Sequence, residues 1–211
     1  RPTLAEFEEY VYAAATADAL AIDIETPREV QWTVGTPTKS GKPGKPKRVL
    51  GPARITCVGL ATSPYESLTI PTTLTYWRDP EVLARVWELL KMIAALPVTK
   101  VTHGGLFDAF WLAQDHRVEL KQWRLDTLAT SHCLNAVGPH SLAYCASVDT
   151  REPYWKDDAK DDDTDDGAAW RDPSPEGLEQ FWRYNGKDAC VTRELSAVYQ
   201  ARIERTGRLA F

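Results

Sequence analysis

Residues 21–26 read Ala-Ile-Asp-Ile-Glu-Thr and predict a buried strand with two acidic side chains on one face. Side chains alternate along a strand, so Asp23 and Glu25 point to the same side, about 7 Å apart, while Ile22 and Ile24 face the other way. Neighbouring carboxylates repel and resist desolvation, so a buried pair needs a metal ion or a basic partner. The alternative is a solvated edge strand, because an Asp-x-Glu triplet occurs by chance among 30 acidic residues in 211.

The composition predicts a single globular domain, residues 1–211. A chain of this length with 43% hydrophobic residues can bury a full core. The net charge of −5 argues against a nucleic-acid partner at first sight. However, residues 157–166 hold seven aspartates and one lysine, and this net −6 leaves +1 for the rest of the chain.

The sequence contains no run of eighteen apolar residues and no basic segment followed by an apolar one at its start, so we expect no membrane span and no signal peptide. The cysteines have no Cys-x-x-Cys spacing, which favours buried free thiols in a reducing, cytoplasmic compartment. Because the chain begins at Arg1 and its only methionine is Met92, we expect a piece of a longer protein.

Hydrophobic periodicity predicts an alternation of strands and helices. We expect helices over 3–17, 79–96, 106–112, 127–134 and 141–146, strands over 19–25, 55–62, 67–71, 98–102 and 123–125, and a final helix from Pro175 that breaks near Tyr184-Asn185-Gly186. Three strands in a meander followed by strand-helix units give an α/β fold with a mixed five-stranded sheet, helices on both faces and the first strand at its centre.

Two segments lack this periodicity. Residues 28–52 are rich in Pro, Gly and Lys and are predicted as a basic loop insertion, which either contacts a phosphate backbone or is a solvated insertion with no partner. Residues 156–175 are predicted as an acidic irregular segment. Its aspartates do not have the spacing of an EF-hand loop, so a solvated loop is favoured over a calcium site.

Three aspartates occupy notable positions. Asp188 lies three and seven residues before apolar positions, so it shares the apolar face of its helix, and Tyr184 lies one turn earlier on that face. A first-turn charge and a core aromatic are the alternatives for this pair. Asp108 follows a glycine turn and also fits a first helical turn. Asp126 is predicted as the N-cap of helix 127–134 in preference to a metal ligand.

The three motifs occur in the order Asp23-x-Glu25, Phe107-Asp108 and Tyr184-x-x-x-Asp188. This order resembles the DEDDy class of 3′–5′ exonucleases, and in particular the proofreading domain of phage-like family A DNA polymerases. Further similar segments are residues 126–127, 141–143, 150–156 and 184–189. The resemblance covers residues 17–205 apart from the basic insertion and the aspartate run, and it implies a ribonuclease H-like fold.

The resemblance implies a metal-dependent exonuclease that releases nucleoside 5′-monophosphates from the 3′ end of single-stranded DNA. Two divalent cations, Mg²⁺ or Mn²⁺, would be held by four carboxylates, with Asp23 bridging both ions, Glu25 and Asp188 completing the first site and Asp108 supporting the second. Tyr184 and Glu25 would orient the attacking water. Hard oxygen ligands suit these ions and argue against zinc.

The resemblance is weaker at the groups that would contact the substrate. The asparagine of the family's second motif falls at Gly104, with His103 either as a stand-in or as a turn residue without a ligand. Thr26 is expected to contact the terminal nucleotide or to cap the strand end. Phe107 occupies the aromatic position of the motif and is interpreted as a substrate contact or as part of the core.

Two other functions are compatible with the sequence. A ribonuclease D-like exoribonuclease uses the same carboxylates and tyrosine. No motif in the sequence indicates whether the site contacts the 2′-hydroxyl that distinguishes RNA from DNA. A catalytically silent domain that binds strands or braces an attached polymerase is the other alternative, and the four intact carboxylates count against it.

Overall fold

The computed structural model describes residues 1–26, 30–35, 44–50, 54–155 and 174–206. The helices in these ranges are α1 (Leu4–Ala14), α2 (Leu74–Trp77), α3 (Pro80–Ala95), α4 (Leu106–His116), α5 (Thr127–Leu134), α6 (Leu142–Asp149) and α7 (Pro175–Thr206). The strands are β1 (Ala19–Glu25), β2 (Val30–Gly35), β3 (Gly44–Leu50), β4 (Cys57–Ala61), β5 (Leu68–Pro71), β6 (Thr99–Thr102) and β7 (Trp123–Asp126).

Five of the strands form one mixed sheet in the order β5-β4-β1-β6-β7. The central strand β1 is antiparallel to β4, where Asp23 lies opposite Gly59 and Glu25 opposite Cys57. On its other side β1 is parallel to β6, but this pairing ends at Ala21. The predicted mixed five-stranded sheet with the first strand at its centre is therefore confirmed.

The two faces of the sheet carry side chains of different size. Ile22 and Ile24 lie in a core of large aliphatic residues that includes buried side chains of α1 and α3. On the opposite face the small side chains of Ala21 and Ala61 pack against Ala189 of α7. Small residues let a helix backbone approach a strand closely, so α7 lies near the sheet while α1 and α3 lie across the other face. Helices on both faces were predicted and are confirmed.

The last helix is continuous, and the predicted break near residues 184–186 is wrong. Helix α7 runs for 32 residues without interruption. A Cβ added at Gly186 would lie 2.6 Å from Ser67 Oγ and 2.9 Å from Thr69 Oγ1 on the sheet. Gly186 thus lies at a place where α7 packs closely on β5 and on the residue before that strand, and the glycine does not mark the end of the helix.

The predicted basic loop at 28–52 contains a hairpin, so that prediction is also wrong in part. Strands β2 and β3 pair antiparallel, with Val30 opposite Leu50, as a separate two-stranded sheet. Main-chain hydrogen bonds hold such a ladder, and they do not require hydrophobic alternation. The lack of alternation in 28–52 therefore did not exclude strands. The lysines of 36–43 and the predicted acidic segment, except for residues 174–175, lie outside the described residues.

The cysteines are free, and burial was predicted correctly for three of them. Cys57, Cys145 and Cys190 are buried, whereas Cys133 is exposed on the short helix α5. Within the described ranges, no helix is both long enough and apolar enough to cross a bilayer.

A buried lysine fastens two loops beneath the sheet. The side chain of Lys100 on β6 is fully buried, and its ammonium donates to the carbonyls of Leu96 at 2.6 Å, Val98 at 3.1 Å and Lys121 at 3.2 Å. Burial lowers the pKa of Lys100 to about 8, so the group is still protonated at neutral pH. Its three N–H donors then match three carbonyl acceptors.

We expect Lys100→Met to reduce the free energy of unfolding by about 2–4 kcal/mol, because buried carbonyls without donors cost about 1–3 kcal/mol each. The midpoint of urea unfolding measures this change. Lys91→Met is the control, since Lys91 is an exposed partner of Glu88 and such pairs contribute at most about 1 kcal/mol. Equal midpoints for the two variants would contradict the structural role of Lys100.

Candidate active site

Three carboxylates converge between the central strand and the last helix. Asp23 and Glu25 on β1 and Asp188 on α7 each offer one carboxylate oxygen, and these oxygens all lie within 4.8 Å of one another. Asp23 and Glu25 are half-buried, and Asp188 is 5% exposed. The structure thus brings together three of the four carboxylates that the sequence predicted as metal ligands.

The position of the carboxylate group follows from the local sequence. The period of two along β1 directs Asp23 and Glu25 toward α7, because Ile22 and Ile24 fill the opposite core. Asp188 lies on the face of α7 that packs on the sheet, next to buried Ala189. Three like charges in a partly buried place repel one another and favour a cation between them. The donor set consists of hard oxygens, and it fits Mg²⁺ or Mn²⁺.

A buried asparagine contacts the first of these carboxylates. Asn185 Nδ2 donates to Asp23 Oδ2 at 2.7 Å, and Asn185 is fully buried on α7. Asn185 was not among the site residues predicted from the sequence. Its signal was its position three residues before Asp188, which places a polar side chain on the same helix face.

A buried tryptophan contacts the third carboxylate. Trp155 Nε1 donates to Asp188 Oδ1 at 2.7 Å, and the indole is 6% exposed. Its ring packs in an apolar cluster with Leu142, Val191 and Leu195. Trp155 belongs to the segment 150–156 that resembles the family, but no contact with the site was predicted for it.

Asp108 lies beside the group but is not one of the three that converge. It is 5% exposed at the start of α4, and its Oδ1 accepts from the backbone N–H of Ile24 at 3.1 Å. Since β6 pairs with β1 only as far as Ala21, Asp108 supplies the acceptor that a longer β6 would have provided. Burial, with a smaller contribution from Asp126, raises the pKa of Asp108 to about 7. Its role as a metal ligand stays a prediction.

Tyr184 lies one helical turn before Asp188 and is half-buried against the apolar cluster around Trp155. It lines a cleft of about 400 Å³ between α7 and residues 152–155. Arg183 and Lys187 also line this cleft, and Lys187 forms an ion pair with Glu152. The cleft therefore offers aromatic and basic groups directly beside the carboxylates.

The turn that follows β6 is held by Asp126. Asp126 Oδ1 accepts from Gly104 N at 3.0 Å, and Asp126 Oδ2 accepts from Gly105 N at 2.7 Å. The same carboxylate caps α5, which confirms the predicted N-cap. Gly104 has φ 74°, a conformation that favours glycine. His103 Nδ1 lies 2.9 Å from Thr127 Oγ1, so its ring is fixed against α5.

Phe107 is not a core residue, so that interpretation is wrong. Its side chain is 50% exposed at the start of α4, beside Leu106 at 77% and Phe110 at 58%. The apolar positions of α4 are shared between two faces, with Asp108 and Leu112 buried on one of them. Thr26 directly follows β1 and is half-buried. The substrate contacts predicted for these residues remain predictions.

Comparisons with known proteins show similarity at the level of the fold. No protein-family model matches the sequence, and no curated protein sequence is significantly similar to it. Among solved structures, the apo form of a nuclease superposes with a TM-score of 0.60 at 22% identity, over 94% of this chain and 79% of that one. Escherichia coli RNase D, described as an exoribonuclease involved in structured RNA processing, gives 0.61 at 18% identity.

The match covers 97% of this chain but 44% of the E. coli chain, so the present chain spans less than half of that protein. Brucella melitensis NrnC gives a TM-score of 0.58 at 18% identity, over 92% of this chain and 78% of that one. NrnC has also been solved with bound Mg²⁺ and with pGG. At these identities the comparisons confirm the ribonuclease H-like fold.

Proposed function

We propose that this chain is a divalent-metal-dependent 3′–5′ exonuclease that releases nucleoside 5′-monophosphates. The observation that carries the proposal is the convergence of Asp23, Glu25 and Asp188 within 4.8 Å on a fold shared with solved nucleases. The motif order supports it, because the fourth carboxylate and the tyrosine of the DEDDy pattern lie on elements beside this group.

Asp23, Glu25 and Asp188 would hold one divalent ion, and Asp108 would contribute to a second. Such ions lower the pKa of water and stabilise the charge that develops during in-line displacement at phosphorus. The proposal for Mg²⁺ or Mn²⁺ rests on the hard oxygen donor set, and the Mg²⁺-bound form of NrnC supports it. The ions would also offset the negative charge that otherwise repels a phosphate backbone.

The remaining side chains would bind the strand end. Tyr184 lines the cleft next to Asp188, where its hydroxyl would orient the attacking water. Arg183 and Lys187 line the same cleft, where they pair with Glu179 and Glu152, and they would exchange these partners for backbone phosphates. The exposed rings of Phe107 and Phe110 on α4 offer surfaces on which unpaired bases stack.

The substrate is either RNA or DNA, and the structural comparisons favour RNA. RNase D acts as an exoribonuclease, which supports the ribonuclease D-like alternative better than the expected proofreading of DNA. DNA stays the second candidate because the segment 150–156 is similar to phage-like DNA polymerases. This segment contacts the site through Trp155, which donates to Asp188. The attached polymerase domain stays a prediction.

The test uses a 5′-labelled single strand of one sequence, made as RNA and as DNA. We expect a ladder of products shortened from the 3′ end with Mg²⁺ or Mn²⁺, and none with chelator. The relative rates on the two strands decide the substrate, because the 2′-hydroxyl is the only systematic difference at the sugar. Folded protein that shortens neither strand with either ion would support a silent strand-binding domain and overturn the proposal.

We expect Tyr184→Phe to slow strand shortening by about 10²-fold without abolishing it, because orienting a water contributes less than holding the metal. Single-turnover rates at saturating Mn²⁺ measure the effect. Tyr144→Phe serves as the control, since Tyr144 is a partly exposed tyrosine on α6. A Tyr184→Phe variant without detectable activity would show that the hydroxyl has a larger role.

A further inference from the structure

Two neutral side chains donate hydrogen bonds to the carboxylate group, and neither belongs to the DEDDy pattern. We infer that Asn185 and Trp155 are positioning residues that hold Asp23 and Asp188 in the orientations that bind a metal ion. The inference deepens the proposed function and rests on it. It follows from the geometry of each donor and from the charge of the group.

Asn185 is held in place by the closeness of α7 to the sheet. Its backbone and side chain lie against Gly59, which is opposite Asp23 on β4. A Cβ on Gly59 would lie 2.7 Å from Asn185 Oδ1 and 2.8 Å from the Asn185 carbonyl oxygen. Only a residue without a side chain leaves room there, and this close approach brings Asn185 Nδ2 within 2.7 Å of Asp23 Oδ2.

Stability alone does not explain a buried asparagine at this position. Asn185 Oδ1 has no hydrogen-bond partner among the described residues. A buried polar atom without a partner costs about 1–3 kcal/mol, so an apolar residue of similar volume would serve the core better. The amide orientation is set by Asp23, because the reverse orientation would place Oδ1 against a carboxylate. The stability of the core therefore does not account for Asn185, whereas its hydrogen bond to Asp23 does.

Trp155 is held by apolar contacts, and its N–H donates to the site. The ring packs with Leu142, Val191 and Leu195 from α6 and α7, which restricts its rotation. An indole N–H can donate but cannot accept, so it directs a lone pair of Asp188 toward itself. At 2.7 Å this bond restrains the orientation of the Asp188 carboxylate, one oxygen of which lies within 4.8 Å of oxygens of Asp23 and Glu25.

The neutrality of both donors matters for metal binding. Hydrogen bonds to a carboxylate favour its charged form, which opposes the repulsion within the group. A lysine or arginine in either place would do the same but would also offset the negative charge that attracts the cation. Neutral donors orient the ligands and preserve that charge. Loss of such an orienting partner typically weakens metal binding about 10- to 100-fold.

The test is Mn²⁺ binding by the whole chain, measured by isothermal titration calorimetry. Trp155→Phe removes the N–H and keeps most of the ring, and Asn185→Ala removes the amide. We expect each variant to raise the Kd for Mn²⁺ about 10- to 100-fold. Trp87→Phe and Asn135→Ala are the matched controls, because Trp87 of α3 packs against the aliphatic core and Asn135 is exposed after α5. Both controls should bind Mn²⁺ like the wild type.

Strand shortening at increasing Mn²⁺ gives a second readout. If the two residues act through metal binding, the variants need more Mn²⁺ but approach the wild-type rate at saturation. If the variants bind Mn²⁺ with the wild-type Kd, the inference is overturned. The proposed function is then unaffected as long as the wild type still shortens the strand. A wild type that binds no Mn²⁺ would overturn both. Trp155→Phe alone decides the matter if circular dichroism shows that Asn185→Ala does not fold.

Discussion

The variant Asp188→Asn is expected to lose at least about 10³-fold of the single-turnover rate of strand shortening. The substitution removes one of the three converging carboxylates, and a metal ligand of this kind supports several kcal/mol of charge stabilisation. Each 1.4 kcal/mol corresponds to about a tenfold change in rate. Asparagine keeps an oxygen that accepts from Trp155, so the loss reports on charge and metal binding, with the hydrogen bond retained.

The same variant is expected to keep its fold and to lose the stabilisation that metal gives. A ligand that binds only the folded state raises the melting temperature, so Mn²⁺ should stabilise the wild type and have little effect on Asp188→Asn. Without metal, removal of one like charge should leave the melting temperature equal or higher. Asp115→Asn, with the same change of charge on the exposed face of α4, is the control. Activity within tenfold of the wild type in Asp188→Asn would contradict the proposed site.

Gly59→Ala is expected to lower both stability and metal affinity although Gly59 carries no functional group. The new Cβ would lie 2.7 Å and 2.8 Å from side-chain and backbone atoms of Asn185, so α7 must move away from the sheet. Overpacking of this kind costs about 1–3 kcal/mol. For a chain of this size, a loss of about 2 kcal/mol corresponds to a melting temperature lower by roughly 4–8 °C.

Gly186→Ala is the matched comparison for Gly59→Ala, since it also adds one methyl group between α7 and the sheet. Its Cβ would lie 2.6 Å from Ser67 Oγ and 2.9 Å from Thr69 Oγ1, which are side-chain hydroxyls, whereas the Cβ at Gly59 would also meet backbone. Alanine also favours the helix over glycine by about 0.5–1 kcal/mol. We therefore expect a smaller loss of stability and a Kd for Mn²⁺ close to that of the wild type. Equal effects of the two substitutions would show that contact with Asn185 is not critical.

The order of motifs and the periodicity of β1 allowed much of the site to be predicted. A period of two puts Asp23 and Glu25 on one face regardless of what packs there, and a helical period puts Asp188 on the apolar face of α7. These are local rules, so they apply before any long-range contact is known. The five-stranded sheet followed from the same alternation of strands and helices.

Contacts between distant parts of the chain were not predictable in this way. The bond between Asn185 and Asp23 joins residues 162 positions apart, and that between Trp155 and Asp188 joins residues 33 apart. The periodicity of a single strand or helix does not predict contacts between residues so far apart in the sequence. Gly186 was interpreted as a break because its contacts with Ser67 and Thr69, which are far from it in the sequence, follow no local pattern. Phe107 was interpreted as a substrate contact or as part of the core, and only the structure shows that its side chain is half exposed.

The sequence by itself determined that Asp23 and Glu25 share one face of the central strand and that Asp188 lies on the apolar face of the last helix. Backbone geometry fixes the direction of successive side chains in both elements. Only the tertiary structure decided how closely α7 approaches β1 and β4, since this distance depends on Gly59, Gly186 and the alanines that meet there. That approach turns Asp23, Glu25 and Asp188 from three separate acids into one group within 4.8 Å.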